Sequence, residues 1–539
     1  MPTLNWIGKD AIVKHHLEVP FHLLKDVPEL SCGDPGTGNI IAQGDNLIAL
    51  KALLPHFAGQ VKCVCIDPPY NTGNEGWAYN DNVNSPVIRE WLGKVVGKEG
   101  ETLDRHDRWL CMMYPRLALL RQFLSEDGSI FVCLDDNEIG FLKPMMDEIF
   151  GAMNFVAQII WQKKYARQND SLTFSTSHDY ILSYARSSKT WRPNSLSRTQ
   201  EQTKGFKNPD NDPRGVWQSV VYTCGKSRDE RPNLYYPIKN PITGRHVYPL
   251  ETRVWGCDER ANLTNQEENR LWWGVRGELE KPRKKVFLSE LNEGVVPDTI
   301  WFRDDVGDTQ DSRREILDIF GDGVFQTPKP SRLIERILEI ATKPGDLILD
   351  SFSGSGTTGH AVLKMNAAHA DKDPRRFIMI ELESDVCRNI TAERVRRVAE
   401  GYTNAKGEKV EGLGGGFRFC ELGEPLFDET GHIRETVKFG ELARHVYFSE
   451  TREPLPRERV PNTPLLGVCR GLAVYLLFNG ILGDKSSNGG NVLTRKTLAK
   501  LPPFVGPKVI YCAGCLIGAE RLAEEGITVR QTPYEIRVS

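Results

Sequence analysis

A carboxylate followed by two prolines and an aromatic ring, Asp67-Pro68-Pro69-Tyr70, closes the apolar run VKCVCI. Two consecutive prolines remove two backbone donors and hold the chain stiff and extended, so the Asp67 carboxylate and the neighbouring carbonyls form a rigid cluster of acceptors. Such a cluster suits an amino group with two hydrogens to donate. Tyr70 adds a flat face on which a base can stack. Taken alone, the same four residues also make a strand-ending turn.

The second stretch with chemistry in it is LILDSFSGSGTT, residues 347–358, an apolar strand running into a glycine turn that opens a helix. Glycines 354 and 356 let the backbone come close to a ligand, and Asp350 or Ser353 can accept from a cationic amine. The turn departs from the dinucleotide pattern G-x-G-x-x-G and has no P-loop lysine. Glu381 ends the strand RFIMIE, where an acidic side chain would take ribose hydroxyls.

These two stretches, in this order and with Phe352 standing 285 positions after Asp67, resemble the motifs of the β-class adenine-N6 DNA methyltransferases that use S-adenosyl-L-methionine. Thr327-Pro328-Lys329-Pro330 resembles that family's T-x-K-P motif, and Gly44-Asp45 its cofactor-adenine turn. The wider layout, with DPPYNTGNEGWAYNDN and the segment NPDNDPRGVW, resembles the modification subunits of type III restriction systems, although 539 residues is short for one. The resemblance implies a catalytic set of Asp67, Pro68, Pro69 and Tyr70. It implies cofactor contacts at Asp45, Lys329, Asp350, Phe352, Ser353, Gly354, Gly356, Thr357 and Glu381. Double-stranded DNA is the implied substrate, a restriction (helicase-nuclease) subunit and a second copy of the chain are implied partners, and no metal is needed because the methyl donor is itself cationic.

Two other readings stand beside this one. The first keeps the fold and changes the acceptor to cytosine N4, against which Asp67 argues, since enzymes of that kind more often carry Ser there. The second is a DNA-recognition subunit that depends on a nuclease-helicase partner. This chain carries no P-loop of its own.

The elements needed to position these residues follow from hydrophobic periodicity. NIIAQGD, NLIALKALLPHF and VKCVCID read as strand, helix and strand. A helix around Trp109–Leu124, the strand GSIFVCLDD, a helix over Glu138–Phe150 and the strand VAQIIWQ continue the alternation. The predicted class is α/β, a doubly wound, Rossmann-like sheet with helices on both faces. Periodicity is lost from about Lys163 and resumes near residue 286, which predicts an insert splitting one domain. The expected layout is 1–160 for the first catalytic half, 161–285 for a target-recognition insert, 286–405 for the second half and 417–539 for a separate small α/β domain.

The whole chain is nearly neutral, with 69 Lys+Arg against 72 Asp+Glu, so any polyanion surface must be local. Residues 155–250 hold 15 Lys+Arg against 7 Asp+Glu, a balance of +8, interleaved with Tyr165, Phe206, Trp217, Tyr222, Tyr235 and Tyr236. That composition suits DNA contact, with Lys163, Lys164, Arg167 and Arg214 as candidates. Twelve cysteines are sparse and sit mostly in apolar runs, so they read as core thiols, including the Cys512/Cys515 pair. No run of about 18 apolar residues exists, which predicts a cytoplasmic protein that does not enter the membrane.

Overall fold

The computed structural model describes residues 3–72, 93–94, 105–166, 173–291, 294–455, 462–478, 481 and 490–532. Most of the polar stretch 71–84, together with Arg167, lies outside these residues.

Ten strands form one sheet: β1 (His22–Asp26), β2 (Ile40–Gln43), β3 (Val61–Ile66), β4 (Leu124–Leu134), β5 (Phe155–Gln162), β6 (His178–Ala185), β7 (Ile300–Trp301), β8 (Leu347–Asp350), β9 (Arg376–Glu381) and β10 (Arg418–Pro425). Their order is β1-β10-β2-β9-β8-β3-β4-β6-β5-β7. The six strands from β10 to β4 are parallel, while β1 at one end and β6 near the other run against their neighbours. Sequence order reverses between β8 and β3, and a doubly wound sheet opens its ligand crevice at such a switch. All four residues of β8 are buried, and β3 is buried at five of its six positions. A strand covered on both faces has no reason to alternate, which is why these read as unbroken apolar runs.

Helices α1 (Asn46–Phe57), α2 (Arg105–Phe123), α3 (Thr309–Phe320), α4 (Ser331–Ala341), α5 (Thr357–Ala368), α6 (Ala392–Glu400) and α7 (Phe439–Thr451) accompany the sheet. α4 buries Leu333, Ile334, Ile337 and Leu338 at helical spacing and packs on α5 and β3. Gly356 caps α5 at φ +76°, and a Cβ there would stand 2.9 Å from the Thr391 carbonyl oxygen, so only glycine fits.

The structure moves three expected boundaries. β6 lies between β4 and β5 in the catalytic sheet, so the insert begins at Ser195, not at 161, and ends at Pro297, not at 285. Hydrophobic patterning missed this because HDYILSYA is a short strand set between irregular segments. β10 likewise pairs with both β1 and β2, and α7 and the four-stranded sheet built from residues 465–469, 472–476, 508–512 and 527–531 share a core with α1 through Leu53, Val446 and Val474. The segment after 417 is therefore part of the catalytic unit and not a separate domain.

The unit Ser195–Pro297 has a three-stranded antiparallel sheet made of Trp217–Val221, Arg283–Phe287 and Leu271–Trp272. Its own core contains Tyr222, Tyr236, Ile238, Trp255, Leu271 and Trp273. Among the described residues no helix is long and apolar enough to cross a membrane.

A chain ending at Gly416 tests the corrected boundary. It would bare the edge of β2 and remove the partner of β1, so it is expected to give aggregated protein with no cooperative melting transition. A soluble truncated chain with the melting temperature of the full protein would show instead that the C-terminal segment folds apart.

Candidate active site

Parallel strands bring their carboxyl ends to one rim, and β2, β3, β4, β8 and β9 there present Asp45, Asp67, Asp135, Asp350 and Glu381. Two connected cavities open at that rim. One is lined by Ile66, Asp67, Asp350, Phe352, Ser353 and Thr357, among others. The other, a wider cleft, is lined by Tyr70, Trp161, Lys163, Tyr165 and Asp179 among others. Asp67 and Lys329 belong to both.

At this junction the Lys329 ammonium donates to Asp67 Oδ2 at 2.5 Å and lies 4.9 Å from the centre of the Tyr70 ring. The pair is largely removed from water, with 11% and 19% of the two side chains exposed. Burial pushes the ammonium down, yet the Asp67 carboxylate, with Cys133 and Asp179 near it, holds it above the ordinary lysine value. Asp67 Oδ1 and the Tyr70 hydroxyl are buried and have no hydrogen-bond partner among the described residues. The Pro69 carbonyl accepts from Trp109 Nε1 at 2.7 Å, which ties the proline pair to α2.

The glycine turn is held from three sides. Glu381 accepts from the Gly354 N–H at 2.8 Å and from the Glu383 N–H at 2.9 Å. Ser353 Oγ donates to the Ile380 carbonyl at 2.7 Å, and Thr391 Oγ1 to the Gly354 carbonyl at 2.6 Å. Arg394, wholly buried on α6, reaches Thr357 Oγ1 at 2.8 Å, His360 and the Glu315 carboxylate. Asp350 accepts from Thr358 Oγ1 at 2.6 Å and from the Phe352 N–H at 3.0 Å. Burial nevertheless raises its carboxyl to about 7, against the pull of those two donors.

The residues expected from sequence divide in a physical way. Asp67, Lys329, Asp350, Phe352, Ser353, Gly354 and Thr357 face the smaller cavity, and Tyr70 faces the wider one. Gly356 sets the turn. Asp45 and Glu381 sit on the same rim but do not line the cavity. The Asp45 carboxylate caps α1 through the Leu47 N–H at 2.7 Å and pairs with Arg116 at 3.1 Å. A carboxylate has about four acceptor sites, so each keeps capacity for a ligand.

Lys163 is paired with Asp179, and Lys164 lines the wide cleft. Arg214 forms two bonds to Asp212, at 2.9 and 2.8 Å, and covers the Phe287 ring, so its planar head is engaged within its own unit. Tyr222 and Tyr236 are core there, not surface. With the observed limits of that unit, its 17 Lys+Arg meet 14 Asp+Glu, and the +8 of the sequence window falls to +3. Sequence reasoning missed Asp179, Trp109, Arg116 and Arg394. Asp179 at the start of an apolar strand could have been noticed, whereas the others look like ordinary helix residues.

A family model for DNA methylases, those acting on N6 and N4 amino groups, matches residues 61–393, which contain both motifs. The chain belongs to this family. Relatives of this family member include the type III restriction-modification enzyme StyLTI Mod subunit of Salmonella typhimurium, 32% identical over 407 residues, covering 72% of this chain and 60% of the relative. The EcoPI Mod subunit of Escherichia phage P1 is 29% identical over 423 residues, covering 70% and 63%. The type II methyltransferase M.KpnI of Klebsiella pneumoniae is 28% identical over 434 residues, covering 76% and 98%. The chain thus spans a little over 60% of the length of those two Mod relatives.

Asp350 gives a pH test. The folded chain keeps a proton there up to about 7, whereas an unfolded chain loses it near pH ~4, so the native state binds more protons across that window. This group therefore lowers stability as pH rises from about 4 to 7 and carries no penalty below it. Denaturant unfolding of Asp350→Asn and the unaltered protein should show their difference moving in favour of the variant between pH 5 and 8. A pH-independent difference would contradict the buried-carboxyl account.

Proposed function

We propose that this chain transfers a methyl group from S-adenosyl-L-methionine to the N6 amino group of an adenine flipped out of double-stranded DNA. The observation that carries the reading is the position of Asp67, which lines both the cavity at the glycine turn and the aromatic-walled cleft. The residues of the smaller cavity fit the cofactor: a buried carboxyl at Asp350 for a cationic group, a ring at Phe352 and a backbone turn with room only for glycine. When bound, S-adenosyl-L-methionine supplies an electrophilic methyl group on a positively charged sulfur.

The amine of adenine is a weak nucleophile because its lone pair is delocalised into the ring. The Asp67 carboxylate and the Pro68 carbonyl would accept its two N–H bonds and turn the lone pair toward the methyl group. The Pro69 carbonyl is held instead by Trp109. Orientation and charge then account for most of the rate: an ionised Asp67 complements the positive charge growing on nitrogen and takes the proton afterwards. Tyr70 would stack on the flipped base, which offsets part of the few kcal/mol that unstacking costs.

Lys163, Lys164, Arg167 and Arg214 remain the proposed DNA contacts, with Lys163 and Lys164 best placed because they line the cleft. The Mod names of the relatives support membership of a restriction-modification system, with a restriction subunit on a separate polypeptide and a second copy of this chain as proposed partners. The proposed location is the cytoplasm.

Methyl transfer to unmodified DNA from labelled S-adenosyl-L-methionine tests the reading. Asp67→Ala should lower transfer at least about a thousandfold while cofactor binding stays within a few-fold. Near-normal transfer by that variant would remove Asp67 from the reaction. Transfer by the unaltered protein should also fall steeply as salt rises from 50 to 200 mM, as phosphate contacts require, and a flat response would count against them.

A further inference from the structure

The Lys329 ammonium holds the two features that the target amine needs: an oxygen of Asp67 and the face of Tyr70. We propose that Lys329 is a placeholder for the target amino group, a positioning residue that fills the acceptor while no base is present and withdraws when the base enters. This rests on the amino-methylation reading above and reassigns Lys329 from the cofactor to the base side of the site.

Three observations support it. First, the backbone of Lys329 is anchored independently of its ammonium: its carbonyl accepts from Thr357 Oγ1 at 3.2 Å, and Pro330 caps α4. The four-carbon stem between anchor and ammonium is flexible. Second, a buried carboxylate facing an empty cleft is costly, and a cation of the chain's own removes that cost without closing the cleft. Third, Lys329 has somewhere to go. Asp179 and Asp135 line the same cleft, and Asp179 already interacts electrostatically with Lys329. Lys163, which holds Asp179, marks that side as a place where an ammonium is accommodated. The charged and titratable groups around Asp67 are thus Lys329, Asp350, Cys65, Cys133 and Tyr70, with Asp179 one step further. Among the described residues, Lys329 is the cation in that group.

A placeholder competes with the base, so the apparent affinity for DNA is reduced by the fraction of molecules in which it is in place. Lys329→Met keeps the stem and removes the competitor. Steady-state transfer to long unmodified DNA should then show a KM for DNA at least about fivefold lower and a correspondingly higher kcat/KM, with the cofactor Kd within twofold. Lys329→Arg, which keeps a donor for Asp67, should leave the KM for DNA at or above that of the unaltered protein. A KM for DNA that is unchanged or raised in Lys329→Met overturns the placeholder, and so does a tenfold loss of cofactor affinity, which would return Lys329 to the cofactor. If Lys329→Met does not fold, a structure of the unaltered protein with DNA and S-adenosylhomocysteine decides. Separation of Lys329 Nζ from Asp67 beyond about 4 Å supports the proposal, and a retained pair overturns it. Absence of any transfer by the unaltered protein would instead bring down the methylation reading, and the placeholder with it.

Discussion

Charge taken out of water must be answered by charge, and at the centre of this fold that answer is the pair between Asp67 and Lys329. Asp67 follows β3 and Lys329 stands just before α4, 262 positions apart, so the contact exists only when the two halves of the sheet come together. Removing one partner of such a pair leaves the other buried and uncompensated, which costs on the order of 3–5 kcal/mol. The pair therefore couples assembly of the fold to assembly of the site.

The surrounding bonds make the same link in smaller steps. Asn46, at the start of α1, donates to the Ser351 carbonyl at 2.8 Å and binds Arg116 of α2, which also pairs with Asp45. One chain of contacts thus runs from the first strand–helix unit to the glycine turn. Arg394 runs a second chain from α6 through that turn to Glu315 on α3, and Trp109 a third from α2 to the proline pair. Rigid backbone at both motifs follows from these bonds as much as from proline and glycine themselves, and a preorganised site needs no rearrangement at the moment of reaction.

What could be read in the sequence is what local chemistry dictates. Asp67-Pro68-Pro69-Tyr70 and the glycine turn each impose their own geometry, and the apolar runs of β3 and β8 report burial on both faces, so the site and the sheet around it were legible. Pairing between distant segments leaves no such mark. Nothing local in HDYILSYA places β6 between β4 and β5, and nothing in RFCELGEP draws β10 into the same sheet. Charge counting has a related limit: a window of sequence does not know which arginines face water. Arg214 spends its head on Asp212, while Tyr222 and Tyr236 fill a core. The wide cleft beside Asp67 is lined by Lys163 and Lys164, which lie outside that unit.

The central claim is that Asp67 accepts the amine of an adenine. Unmodified DNA incubated with the protein and S-adenosyl-L-methionine carrying a deuterated methyl group, then digested to nucleosides and weighed by mass spectrometry, addresses it without knowledge of the recognition sequence. The account predicts deuterated methyl on adenine N6; deuterated methyl on cytosine N4, or on no nucleoside, would contradict it.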